Sequence, residues 1–202
     1  MRLYVLCEGQ TEDRFVKEIL APHLLSLNIY ATPIICETKR TSGKKYKGGG
    51  SKYSKIRNYK LPSDTPGKDA KGDIYNVATQ IEAAISANLG GQRNLLVNLI
   101  VHEFEGLLFS DVSAFSGEAK ADDKTLLGLA HIRNGFLTPE HINDSEMTAP
   151  SKRIMKLLPE YFKTLNGIPI AKRIGIEKIA EECQHFRAWL KNIQALGRED
   201  AE

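Results

Sequence analysis

The chain opens with Leu3-Tyr4-Val5-Leu6-Cys7-Glu8-Gly9-Gln10-Thr11-Glu12, and no other stretch limits the available folds as much. Five apolar residues after Arg2 read as a buried strand, Gly9 lets the backbone turn without a Cβ clash, and Thr11 can cap the helix that follows. Glu8 is thereby placed at the carboxyl end of a strand, which in open α/β sheets is the edge where ligands bind. A carboxylate just past a buried strand gains nothing from packing there and needs a partner or a metal ion. Glu12 and Asp13 also complement the dipole of a helix N-terminus; that accounts for Asp13, while for Glu12 both readings stand.

Periodicity sets the order of the elements. Phe15, Val16, Ile19, Leu20, Leu24 and Leu27 fall at helical spacing over residues 11–27, with Pro22 predicting a kink. Residues 29–36 read as a second strand. After Asp73, the stripe Ile74, Val77, Ile81, Ile85 and Leu89 predicts a helix ending at Gly90, and residues 95–101 read as a buried strand rich in Leu, Val and Ile. Strand, helix, strand, insert, helix, strand is the order of a doubly wound parallel sheet. Residues 37–73 show no clear element, and Asp64, Asp69 and Asp73 read as turn or cap residues.

A second acidic group follows residues 95–101. Glu103 and Glu105 are two apart, so an extended backbone turns both to one face, with His102 and Phe104 on the other. Paired carboxylates repel unless a cation lies between them. If the strand at 95–101 lies beside the first strand, Glu8, Glu103 and Glu105 converge at one sheet edge and can hold Mg²⁺ or Mn²⁺. The competing reading gives one of the pair to a local Lys or Arg and leaves the other solvated. Asp111 is either a further ligand or a cap before residues 112–115.

Charge is unevenly distributed. Nine of the 28 cations, Lys39, Arg40, Lys44, Lys45, Lys47, Lys52, Lys55, Arg57 and Lys60, fall within residues 38–60 without one acid, so the remaining 19 meet all 25 acids. A cationic, glycine-containing insert with Tyr46, Tyr53 and Tyr59 suits a nucleic-acid backbone and its bases; a solvated loop is the plain alternative. Lys172-Arg173, ahead of the tight turn at Gly175, can add a phosphate contact. Cys7, Cys36 and Cys183 lack metal-ligand spacing and read as reduced core thiols. No signal peptide or membrane span is evident, so cytoplasmic residence is expected.

The last third reads as helical. Ile154, Leu157, Leu158, Tyr161, Phe162 and Leu165 form one stripe ahead of a turn at Asn166-Gly167-Ile168-Pro169, and Ile176, Ile179, Cys183, Phe186, Leu190 and Ile193 form another. Between residues 116 and 148 a short helix around Leu126, Leu127, Leu129 and Ile132 is expected, with another helical turn at Pro139-Glu140-His141-Ile142.

Glu8-Gly9 at the end of the first strand resembles the toprim domain of topoisomerases, primases and overcoming-lysogenization-defect nucleases. The likeness extends along most of the chain to a toprim-like prokaryotic family, domain-of-unknown-function family 4276. Its blocks are Cys7 to Glu12, His102-Glu103-Phe104-Glu105-Gly106-Leu107-Leu108-Phe109-Ser110-Asp111, and Ala149-Pro150-Ser151-Lys152-Arg153-Ile154 with residues 170–189. The resemblance implies an α/β fold with a toprim-like parallel sheet flanked by helices over residues 1–115 and a helical C-terminal extension over 116–202. It implies metal-dependent phosphodiester cleavage of nucleic acid, as in defence against foreign DNA. Glu8 would then be a metal ligand or general acid/base, Glu103 and Glu105 metal ligands with Glu12 and Asp111 as further donors, and Lys152 an electrostatic stabiliser. The cofactor would be Mg²⁺ or Mn²⁺.

The sequence departs from that pattern in one respect. The Asp-X-Asp strand of toprim domains has no counterpart, because residues 52–60 are polar and basic with Ile56 as their one aliphatic. The alternative implied is a non-catalytic nucleic-acid-binding or regulatory subunit that partners an ATPase, and homo-oligomerisation and small-molecule phosphotransfer stay open. No glycine-rich phosphate loop ending in Lys-Ser/Thr is present, so P-loop nucleotide hydrolysis by this chain is not expected.

Overall fold

The computed structural model describes residues 1–35, 37–41, 44–47, 73–143 and 147–199. Strand β1 (Arg2–Cys7) and strand β2 (Tyr30–Ile35) pair in parallel, in register from Arg2 opposite Tyr30 to Cys7 opposite Ile35. The crossover between them is helical over residues 10–25. It consists of α1 (Gln10–Phe15), a π turn (Val16–Leu20) and α2 (Ala21–Leu25). Gly9, rather than Thr11, is the N-cap of α1. Pro22 carries no N–H, and its ring crowds the carbonyl four residues back; the chain meets this by widening one turn, with the Ala21 N–H bonding to the Val16 carbonyl.

Leu3 and Val5 of β1 are half-buried and pack toward the core, whereas Tyr4, Leu6, Tyr30 and Ile34 form an exposed outer face. Beyond β2, residues expected to lack structure form an antiparallel hairpin, β3 (Glu37–Thr41) with β4 (Lys44–Lys47), carrying a register irregularity between Glu37 and Lys39. Thr38, Thr41 and Tyr46 are residue types that strands favour, and cation-rich sequence alone does not rule a ladder out. Lys52, Lys55, Arg57, Lys60, Asp64, Asp69 and Cys36 lie outside the described residues.

Helix α3 (Ile74–Asn88) starts on Asp73, whose carboxylate accepts the Tyr75 and Asn76 N–H groups at 2.8 and 3.3 Å, the cap that its sequence position suggests. Residues 95–101, read from sequence as a buried strand, form none. Among the described residues only β1 and β2 make up the parallel sheet, and Leu95, Leu96 and Ile100 are exposed. The segment is held instead by the Leu99 N–H donating to the Glu82 carboxylate at 2.7 Å. An apolar run is a strand only where a neighbouring strand accepts its backbone.

The rest is helical: α4 (Phe104–Leu107), 3-10 turns at Leu108–Ser110 and Val112–Ser116, α5 (Asp123–Asn134), a 3-10 turn at Pro139–His141, α6 (Pro150–Leu157), α7 (Lys163–Ile174), α8 (Ile176–Glu182) and α9 (Gln184–Glu199). The turn expected at residues 166–169 lies inside α7, with Pro169 within the helix, because Ile168, Ile170, Ala171 and Ile174 bury its inner face. The break falls earlier, at Leu158, since the residue before a proline is driven out of the helical region. The second predicted stripe is core as read: Ile176, Ile179, Cys183, Phe186, Leu190 and Ile193 are all buried, although Cys183 divides them between two helices. One apolar cluster runs from Cys7 and Phe15 through Phe104, Phe109 and Phe115 to Ile193. No helix among the described residues is long and apolar enough to cross a membrane.

Candidate functional site

The first acidic group sits where β1 ends. Glu8 is exposed, and the Glu12 carboxylate folds back over the turn, its Oε2 lying 3.1 Å from the point that a Cβ on Gly9 would occupy. Glycine at this position leaves the space into which that carboxylate folds. Partial burial and the neighbouring Glu12 charge both raise the Glu8 carboxyl above its ordinary range. Asp13 is buried and paired with Lys17 at 2.8 Å, so it serves the helix rather than the site. Because β1 and β2 run in parallel, Glu8 and the start of the β3–β4 hairpin lie at the same sheet edge.

The second group is a closed ionic cluster. Glu103 is the N-cap of α4 and Glu105 lies in its first turn, so a helix start rather than an extended strand brings the two together. The Lys163 ammonium lies between them, 3.5 Å from Glu103 Oε1 and 3.0 Å from Glu105 Oε2. Each remaining carboxylate oxygen also has a donor: the Ser151 N–H reaches Glu103 Oε2 at 3.0 Å, and the Tyr161 hydroxyl approaches Glu105 Oε1 at 3.5 Å. Glu105 is 2 % exposed, and burial raises its carboxyl against the pull of Lys163. Burial also works against ionisation of Glu103, but the Ser151 hydrogen bonds and Lys163 outweigh it and hold that carboxyl below the usual range. Burial would lower the Lys163 ammonium; the two glutamates reverse this and raise it. Burial, then Glu105, pushes the Tyr161 phenol up, so it stays a neutral donor.

Other residues singled out by sequence take separate places. Asp111 caps the Val112–Ser116 turn, accepting the Ser113 N–H at 2.9 Å. Lys152 is exposed on the first turn of α6, next to Ser151. Lys172 pairs with Glu18 at 2.6 Å, and the Arg173 guanidinium fills the space where Gly117 lacks a side chain. Lys39, Arg40, Lys44, Lys45 and Lys47 belong to the hairpin strands. Cys7 and Cys183 are buried, and burial pushes the Cys183 thiol up to about 12. Among the described residues, no three His, Cys, Asp or Glu side chains are grouped closely enough to hold a metal ion by themselves.

Lys163 and Tyr161 are the site residues that sequence reasoning missed. One signal was present. Lys163 is the first residue of α7, where the helix dipole disfavours a cation, and a lysine at that place needs an anion to hold it.

A family described as Domain of unknown function (DUF4276) matches residues 7–194. No curated protein and no solved structure gave a significant match.

Proposed function

This chain belongs to the DUF4276 family, whose description names no activity, and we propose one from its residues: metal-dependent phosphodiester cleavage of nucleic acid by a toprim-like site. The observation that carries this reading is the Glu8–Glu12 pair crowded over Gly9, at the sheet edge from which the cation-rich hairpin leaves. Two carboxylates raising one another's energy at an exposed edge are relieved by a divalent cation.

The donor set fits Mg²⁺ or Mn²⁺. Mg²⁺ sites commonly take one or two protein carboxylates and complete their octahedron with water and substrate phosphate, so Glu8 and Glu12 suffice without a third ligand. When bound, the ion would supply a Lewis acid at the phosphate and an activated water. The chain's own part is to hold the two carboxylates at the edge, to steer a polyanion there through the hairpin, and to keep α4 and α7 fixed nearby through Lys163.

The test is cleavage of single-stranded DNA, double-stranded DNA and RNA with Mg²⁺ or Mn²⁺, comparing the intact chain with Glu8→Ala. Metal-dependent products that fall at least 100-fold in the variant are expected; chelator-resistant cleavage, or full activity in the variant, would refute the reading. A second reading, a nucleic-acid-binding or regulatory subunit that works with an ATPase, is favoured by one observation: every oxygen of Glu103 and Glu105 already has a donor from the protein. Salt-sensitive binding without cleavage would make it the leading one.

A further inference from the structure

We infer that Lys163 is a resident cation which does for Glu103 and Glu105 what a divalent ion would otherwise have to do, so that among the described residues a divalent ion is left to Glu8 and Glu12. The inference deepens the reading above and rests on it for the Glu8–Glu12 half only.

The contrast between the two acidic groups carries the argument. A buried carboxylate needs a counter-charge and donors for its oxygens, and unpaired it is strongly destabilising. Glu105, at 2 % exposure, meets that need from within the chain: Lys163 at one oxygen and Tyr161 at the other. Glu103 is likewise satisfied by Lys163 and the Ser151 N–H. A metal ion entering here would be opposed by the Lys163 ammonium, which already lies within 3.5 Å of both carboxylates. Glu8 and Glu12 are in the opposite condition, since among the described residues neither receives a hydrogen bond nor an ion pair, and the two repel.

The position of Lys163 is itself built. The Phe162 N–H donates to Asn166 Oδ1 at 2.8 Å, the Asn166 N–H returns to the Phe162 carbonyl at 2.8 Å, and Arg14 of α1 donates to the Thr164 carbonyl. The turn that starts α7 is therefore clamped on both sides of the lysine. An ammonium supplies charge but no coordination sites for water, so activation of a nucleophile falls to an ion at Glu8 and Glu12.

Mn²⁺ titration of the full chain, read by electron paramagnetic resonance of the free ion and by calorimetry, tests the inference. One ion per chain is expected, lost in Glu8→Gln/Glu12→Gln and unchanged in Glu103→Gln. Lys163→Met strips the cluster of its cation and should gain one further ion, while Lys163→Arg should not. Loss of an ion in Glu103→Gln, or no gain in a folded Lys163→Met, overturns the role of Lys163. If the unmodified chain binds none but Lys163→Met binds one, the role of Lys163 stands and the metal reading of Glu8 and Glu12 falls. No ion in either overturns both.

Discussion

Glu140 shows what a single buried carboxylate does in this chain. Its side chain is 3 % exposed and accepts the N–H groups of His185 and Phe186, both at 2.9 Å, so it caps α9 from a distant part of the sequence. Glu140→Ala leaves two helix-end amides without their acceptor, at a cost of about 1–3 kcal/mol. A urea unfolding midpoint that falls accordingly is expected, and an unchanged midpoint would mean that water replaces the carboxylate without loss. Residues whose partners are local were readable in advance: Gly9 from its turn, Asp73 and Asp111 from the cap position ahead of a helical pattern. Glu140 and Lys163 were not, because their partners lie 45 to 60 residues away and no spacing rule reaches that far.

Among the elements, α3 is held to the helical body largely by polar contacts. The Glu82 carboxylate meets His185 Nε2 at 2.8 Å and the Leu99 N–H at 2.7 Å, the Tyr75 hydroxyl meets Thr138 Oγ1 at 2.7 Å, and the Tyr75 ring stacks on His185 and meets His141 edge-on. The Glu82 hydrogen bond raises the His185 imidazole above its ordinary 6.5, against the effect of burial and with further help from Glu140. A group raised on folding contributes stability that is fully present below its unfolded value and is lost as pH rises through the folded one. The stability gap between the intact chain and Glu82→Gln should therefore be largest below pH 6.5 and shrink above it. Urea curves across a pH series measure this, and a gap independent of pH would show that the pair contributes only as a neutral hydrogen bond. The stripes of α3 and of residues 176–193 were legible because their period is local. Strand status at residues 95–101 was not, because it depends on a pairing partner that the apolar run itself does not encode.

For the whole molecule the governing feature is charge separation, with nine cations of residues 38–60 set against a body in which acids outnumber bases. If the hairpin meets phosphates, Lys44→Gln with Lys45→Gln should lower affinity for all sequences alike. It should also reduce the slope of log affinity against log salt by about 0.7–0.9 for each phosphate that is no longer neutralised. Filter binding between low and moderate salt reads that slope, and an unchanged slope would remove the hairpin from the interface. The mixed α/β class and the parallel pairing of β1 with β2 followed from the first 36 residues, where a strand, an amphipathic helix and a strand lie in close succession. The hairpin was hidden because its ladder is built from residues typical of a solvated loop.

The π turn ahead of Pro22 makes the crossover sensitive to counting rather than to chemistry. Each residue of an α-helix advances the face by about 100°, and the extra residue held in Val16–Leu20 sets the phase between Asp13 and Phe15 on one side and Leu24 on the other. Replacing a side chain in that turn leaves the phase intact. Deleting one residue would turn Asp13 and Phe15 out of phase with Leu24, so relatives should vary in composition here far more readily than in length.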